Sequence, residues 1–178
     1  MDIPTSPDPV SEPEAYREHL LGLLGTDDPG QVQVGAPEAW RTLVSNVAGG
    51  NVRPAPSEWS AIECLGHAVD AEVVMSARYR WILAHDEPPL IGYDQDLWVD
   101  RLHTGQDTDP EELLQLFKPL RFANVALWAN ASEEDRARVG MHVERGPESF
   151  DLCFRMLAGH DRFHLAQARR ALEAVSGG

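Results

Sequence analysis

The stretch Gly159-His160-Asp161-Arg162-Phe163-His164 decides how this chain folds. Two imidazoles four residues apart share one face of an α-helix, one turn from each other. The breaker pair Gly146-Pro147 precedes the stretch, Ser149 is an N-cap candidate, and Ser176-Gly177-Gly178 follow. The pattern predicts a helix from about 150 to 175. With His160 as origin and about 100° per residue, Cys153, Met156, Leu157, Phe163, His164, Gln167 and Ala171 fall within roughly 60° of it. Arg155, Arg162 and Arg169 recur on the opposite side, the expected wet face. Both histidines are therefore expected to point inward. Two readings stay open: a packed core pair, or two ligands of a metal ion that needs a third.

A second long helix is predicted from about 59 to 85. Ser60 and Glu63 have capping-box spacing at its start, and Asp86-Glu87-Pro88-Pro89 stop it. It is apolar round most of its girth, as a buried helix is. His67 lies near its middle, with Cys64, Ala71 and Val74 but also Glu63, Asp70 and Arg78 on the same side. Periodicity leaves its direction undecided between water and a polar spot inside.

Two more long helices are expected, at about 13–24 and 110–130, the latter opened by Asp109-Pro110 and kinked at Pro119. Residues 25–36 read as a loop, Pro37 to about Val47 as a short helix, and Ser132 to Arg138 as a helical turn. Met141 to Arg145 reads as extended, and no alternating strands are evident. The connection 86–108 carries Tyr93-Asp94-Gln95-Asp96 and a short helix around Leu97 to Leu102. Connections of that length often wall or cover a pocket. Residues 1–12, with several prolines and acids, read as a flexible tail, and 13–178 as one domain. The fold class expected is an all-α four-helix bundle with short extra helices. Such bundles place ligands on facing helices, so one layer could gather His67, His160 and His164.

Composition excludes several partners. The net charge is −14 and Lys118 is the lone lysine. That surface opposes a nucleic-acid backbone or an anionic membrane. No run of about 18 apolar residues is present. Residues 1–14 lack the apolar core of a signal peptide. Cys64 and Cys153 lack Cys-x-x-Cys spacing and read as buried thiols of a cytoplasmic protein. A Gly-rich phosphate loop, Gly-x-Ser-x-Gly and a zinc-ribbon pattern are all missing.

The run Trp59-Ser60-Ala61-Ile62-Glu63-Cys64-Leu65-Gly66-His67-Ala68-Val69-Asp70, followed later by Gly159-His160-Asp161-Arg162-Phe163-His164-Leu165-Ala166-Gln167, resembles the DinB-like (YfiT-like) superfamily of damage-inducible helical bundles. Helix order and spacing extend the likeness over nearly the whole chain. The resemblance implies an up-down-down-up four-helix bundle and a divalent metal on His67, His160 and His164. It also implies frequent homodimers and a stress-response setting. Its studied members include thiol S-transferases that use bacillithiol or mycothiol, a thiol-dependent isomerase and putative metal-dependent hydrolases.

Three neutral imidazoles with a free position suit a catalytic metal site. Availability favours zinc, while nickel, iron and manganese also accept nitrogen ligands. The group that does chemistry would then be water or a thiol on the metal. Several neighbours are candidates to support or wall that site. Glu63 and Asp70 are in reach of the second ring nitrogen of His67, or are a cap and a solvated acid. Gln167 could line the pocket or bond at the core edge. Tyr93, Asp94 and Asp96 could fold over it or stay solvated. Arg78 and Arg80 could meet an anionic substrate or water. Cys64 and Cys153 could add a ligand or simply pack. His19, His85, His103 and His142 lack partners at ligand spacing. The function expected is metal-dependent thiol S-transfer or hydrolysis of a small molecule. The alternatives are a non-catalytic metal- or ligand-binding stress protein, and a dimeric scaffold with packed histidines.

Overall fold

Proline and short polar caps set the helix starts. In the computed structural model, which describes residues 6–45, 47–105 and 108–177, α1 (Pro13–Leu24) opens on Pro13 and ends at Gly25. α2 (Pro29–Val44) begins well before the expected short helix. Asp28 accepts from the Gln31 amide and Pro29 takes the first turn, so most of the expected loop 25–36 is helical. Gly30, Gly35 and the internal Pro37 have low helix propensity, but burial outweighs it. Gln33, Ala36, Trp40 and Val44 are all buried, and Gln33 donates to the Phe154 carbonyl at 2.7 Å.

α3 (Ala61–Ala84) starts at a complete Ser60/Glu63 capping box. β1 (Pro89–Leu90), α4 (Gln95–Leu102), α5 (Pro110–Asn130) and α6 (Glu133–Ala137) follow, with Asp94, Asp109 and Ser132 as caps. β2 (Val139–His142) and β3 (Gly146–Ser149) lead into α7 (Phe150–Ser176), capped by Ser149. The three strands form a small sheet where no alternating strands were evident; the expected extended run Met141 to Arg145 overlaps the end of β2 and the turn that follows it. β1 pairs parallel to β2 through Leu90 and His142, and β2 pairs antiparallel to β3 through Gly140 and Glu148. Elements of two to four residues are too short to show a period of two in the sequence.

The bundle is a ring in which α3 packs on α5 and α7, and α2 closes it against the same two helices. α1 lies along α7 outside that ring. The fourth bundle helix is thus α2, where the sequence pointed to the helix now labelled α1. One apolar cluster centres on Trp40, Leu65 and Phe117, the other on Tyr79, Phe150 and Phe154. Along α7 the histidine layer separates them.

Beside that layer runs a buried ionic cluster. Arg121 on α5 donates to Glu72 of α3 at 2.8 Å and to both carboxylate oxygens of Asp161 on α7. All three side chains are at most 1% exposed. Asn124 adds donors to Glu72 and Ser76, each at 2.6 Å. Burial raises the Glu72 and Asp161 carboxyls above their usual range, and these two acids hold the Arg121 guanidinium protonated despite its burial. The cluster pins the register of α3, α5 and α7 against one another.

Gly159 decides how α1 seats. A Cβ there would lie 2.0 Å from the Leu20 carbonyl oxygen and 2.7 Å from its carbon, both backbone atoms that cannot rotate away. Gly159→Ala should therefore cost about 2 kcal/mol or more by chemical denaturation, even after alanine's gain of roughly 1 kcal/mol in helix propensity. An unchanged unfolding midpoint would contradict this packing.

Of the expected tail, residues 1–5 lie outside the described residues. Residues 6–12 form a turn in which Asp8 accepts from the Val10 and Ser11 amides at 2.9 and 2.6 Å.

Candidate metal centre

α3 and α7 bring three imidazoles together. His67, His160 and His164 are 1%, 8% and 5% exposed, so all three face inward. The three ligand nitrogens lie within 4.8 Å of one another. Nε2 of His67 stands 3.0 Å from Nε2 of His160. A tetrahedral ion with bonds of about 2.0–2.1 Å separates its ligands by roughly 3.3 Å, so the cluster has the right size. Gln167 accepts at 2.8 Å from Nδ1 of His164, which leaves the Nε2 lone pair for the cluster. Trp59 roofs the layer, its ring centroid 5.0 Å from that of His67 and 5.9 Å from that of His164.

Burial, reinforced by the neighbouring His164 charge, holds His67 and His160 well below the usual imidazole range. Burial also pushes His164 down to about 4. Neutral rings keep the lone pairs a cation needs. The Nδ1 atoms of His67 and His160 are buried without a hydrogen-bond partner among the described residues. The donor set is nitrogen only and fits a borderline divalent ion.

The acids flanking His67 have other partners. Glu63 receives Arg53 at 2.8 Å and Thr104 at 2.8 Å as well as the Ser60 amide, so it serves as cap and ion pair. Asp70 takes the Nε2 of His103 at 2.8 Å, a histidine assigned nothing from spacing. Neither holds Nδ1 of His67, because the connector and the α4 end claim both carboxylates. The His103 ring lies so close to Gly66 that a Cβ there would meet it at 2.6 Å. Tyr93 comes over the site, 6.5 Å from His67 between ring centroids and packed on Trp98. Asp94 instead caps α4. Cys64 packs in the core and burial raises its thiol. Cys153 lines the cavity, its thiol pushed up by burial to about 12. Neither cysteine joins the cluster.

His160 also walls a cavity of about 100 Å³ with an apolar side of Leu20, Val74, Met75, Met156 and Leu157 and a charged side of Arg78, Glu144, Arg145 and Glu148. A second space of about 150 Å³, bordered by Ser6 to Pro9, adjoins it through Tyr16, Leu20 and Gln95 and reaches both His160 and His164. The histidines thus border two adjoining spaces. Arg78 stands in the cavity wall, whereas Arg80 is exposed and bonds the Ser76 carbonyl and Asn124. Arg162, expected on the wet face, instead donates to the Leu23 and Leu24 carbonyls at the end of α1.

The depressed imidazoles predict a pH response. A folded pKa below the unfolded value contributes stability above about pH 6.5, lost as pH falls toward the folded value. The metal-free protein should therefore lose stability steadily between pH 6.5 and 4. His164 alone accounts for a loss of about 3 kcal/mol at the acid end. Urea unfolding across that range checks it; a flat profile would contradict the burial of these rings.

Among the described residues, no helix is long and apolar enough to cross a membrane. The chain is similar to a protein from Oceanobacillus iheyensis named "Putative metal-dependent hydrolase", 24% identical over 119 residues, which is 67% of this chain and 68% of that protein. Its fold is similar to that of YfiT from Bacillus subtilis, described as a probable metal-dependent hydrolase with an unusual four-helix-bundle topology. The TM-score is 0.75 at 17% identity, over 92% of this chain and 89% of YfiT. Residues 36–168 match the family model of the DinB superfamily and contain all three clustered histidines; the chain belongs to that superfamily.

Proposed function

We propose that the chain is a metal-dependent enzyme acting on a small organic molecule, with hydrolysis as the first reading. The observation that carries it is the convergence of His67, His160 and His164, all neutral, with His160 in the wall of a cavity that has both an apolar and a charged side. These three side chains would hold the ion, zinc in the first instance. When bound, such an ion supplies Lewis acidity and lowers the pKa of an attached protic group. The chain's own residues do the rest: Gln167 orients His164, Trp59 shields the layer, and the apolar walls exclude water from a bound substrate.

One observation favours thiol S-transfer as a second reading. Among the described residues, no carboxylate joins the histidine cluster to act as a base. A thiol needs less help than water to reach its reactive anion. A low-molecular-weight thiol, a homodimer and a cytoplasmic setting belong to this same proposal.

The test is activity of protein purified without a nickel column. Zinc-loaded protein should hydrolyse at least one substrate in an ester, amide and phosphoester panel, lose this with chelator and regain it with zinc. Conjugation of a model electrophile with bacillithiol or mycothiol, and no hydrolysis, would favour the transferase. Silence in both assays from a zinc-loaded site would leave a binding role.

A further inference from the structure

The end of the cavity away from the histidines holds a charge that the metal reading does not use. Arg78 is 5% exposed, lines the cavity, and forms no ion pair among the described residues. Its Nη2 donates to the Ile91 carbonyl at 2.5 Å and lies 3.2 Å from Nε2 of His142. Its Nη1 reaches only the Met75 sulfur, at 3.7 Å. Its Nε has no partner among the described residues. Two carboxylates line the same cavity, Glu144 and Glu148. Neither pairs with Arg78, and Glu148 offsets its charge only in part, because Arg145 occupies both oxygens, at 2.7 and 3.1 Å, and Arg17 stands 3.6 Å away. A buried guanidinium without an ion pair is costly to keep, and an arriving anion would relieve that cost. His142 cannot supply one: burial and the two arginines hold it neutral, near 4.

We propose that Arg78 is an anion subsite that binds the carboxylate of a short, apolar organic acid. Its tail would run between Val74, Met75, Met156 and Leu157 toward His160. The fork of a guanidinium matches a carboxylate, and the apolar walls match a hydrocarbon tail. Along α3, His67, Ala71, Val74, Met75 and Arg78 recur on one side of the helix. Eleven residues at about 1.5 Å rise put the two ends roughly 16 Å apart at the backbone, and both side chains close part of that gap. A tail of several carbons therefore suits the remaining distance. The anion subsite stands on Arg78 alone; only the direction of the tail rests on the metal-site reading.

Hexanoate and its neutral isostere hexanamide are the probes, titrated calorimetrically into full-length protein, once after chelator treatment and once loaded with zinc. Hexanoate should bind about tenfold or more tightly than hexanamide in both forms, as charge-assisted hydrogen bonds require. Arg78→Met should bring the two ligands within about twofold of each other, by loss of the charged hydrogen bonds. The wild-type comparison needs no variant: equal binding of acid and amide would overturn the proposal. So would a hexanoate preference that appears only with zinc and survives Arg78→Met, since the carboxylate would then sit on the metal. A preference that depends on Arg78 in protein that takes up no zinc would uphold the subsite while removing the metal reading.

Discussion

Arg121→Met should destabilise the fold by about 3–5 kcal/mol at pH 7, the usual cost of stripping one partner from a buried ion cluster. Glu72 and Asp161 would be left facing each other at no more than 1% exposure, with no cation between them. Both would have to take up protons to stay buried. Their folded pKa values, already raised by burial, would rise further. An acid whose folded pKa lies above its unfolded value stabilises below the unfolded value, and that contribution is lost as pH rises through the folded one. The deficit of the variant should thus grow from pH 5 to pH 7. Urea denaturation at both values reads it; a loss under 1 kcal/mol at each would contradict the arrangement. Because Asp161 adjoins His160 and Glu72 shares α3 with His67, the variant should also loosen the histidine layer.

His67→Ala should lower zinc affinity by more than a hundredfold, and His160→Ala should do the same. Changes in residues that merely support metal ligands cost roughly 10–100-fold, and loss of a ligand exceeds that. Nε2 of His67 and Nε2 of His160 stand 3.0 Å apart, within the span of one ion, so each is expected to be a ligand. Gln167→Ala, which frees Nδ1 of His164, should fall in the smaller range. Arg169→Ala on the exposed side of α7 is the control and should change nothing. Competition titration with a chromogenic chelator separates these outcomes. Equal affinities for wild type and His67→Ala would mean that α3 contributes no ligand.

The histidine spacing on α7 and the capping box of α3 were legible because strong local signals agree with the tertiary fold there. The direction of His67 was not, since apolar and charged residues share its side of α3 and only the neighbouring helix decides. α2 was hidden by Gly30, Gly35 and Pro37, whose propensities argue against the helix that burial of Trp40 and Gln33 enforces. Glu72, Arg121 and Asp161 look like ordinary surface charges, because the sequence does not show that they meet. The same blindness made Glu63 and Asp70 candidate supports for His67. Their carboxylates are taken by Arg53 and His103, which approach from segments distant in the chain.

X-ray absorption at the zinc edge of the zinc-loaded chain tests the metal centre most directly. One zinc per chain with three imidazole nitrogens at about 2.0–2.1 Å, falling to two in His67→Ala, is the predicted result. Fewer than three imidazoles in the wild type, or a sulfur ligand, would contradict a site built by α3 and α7 together.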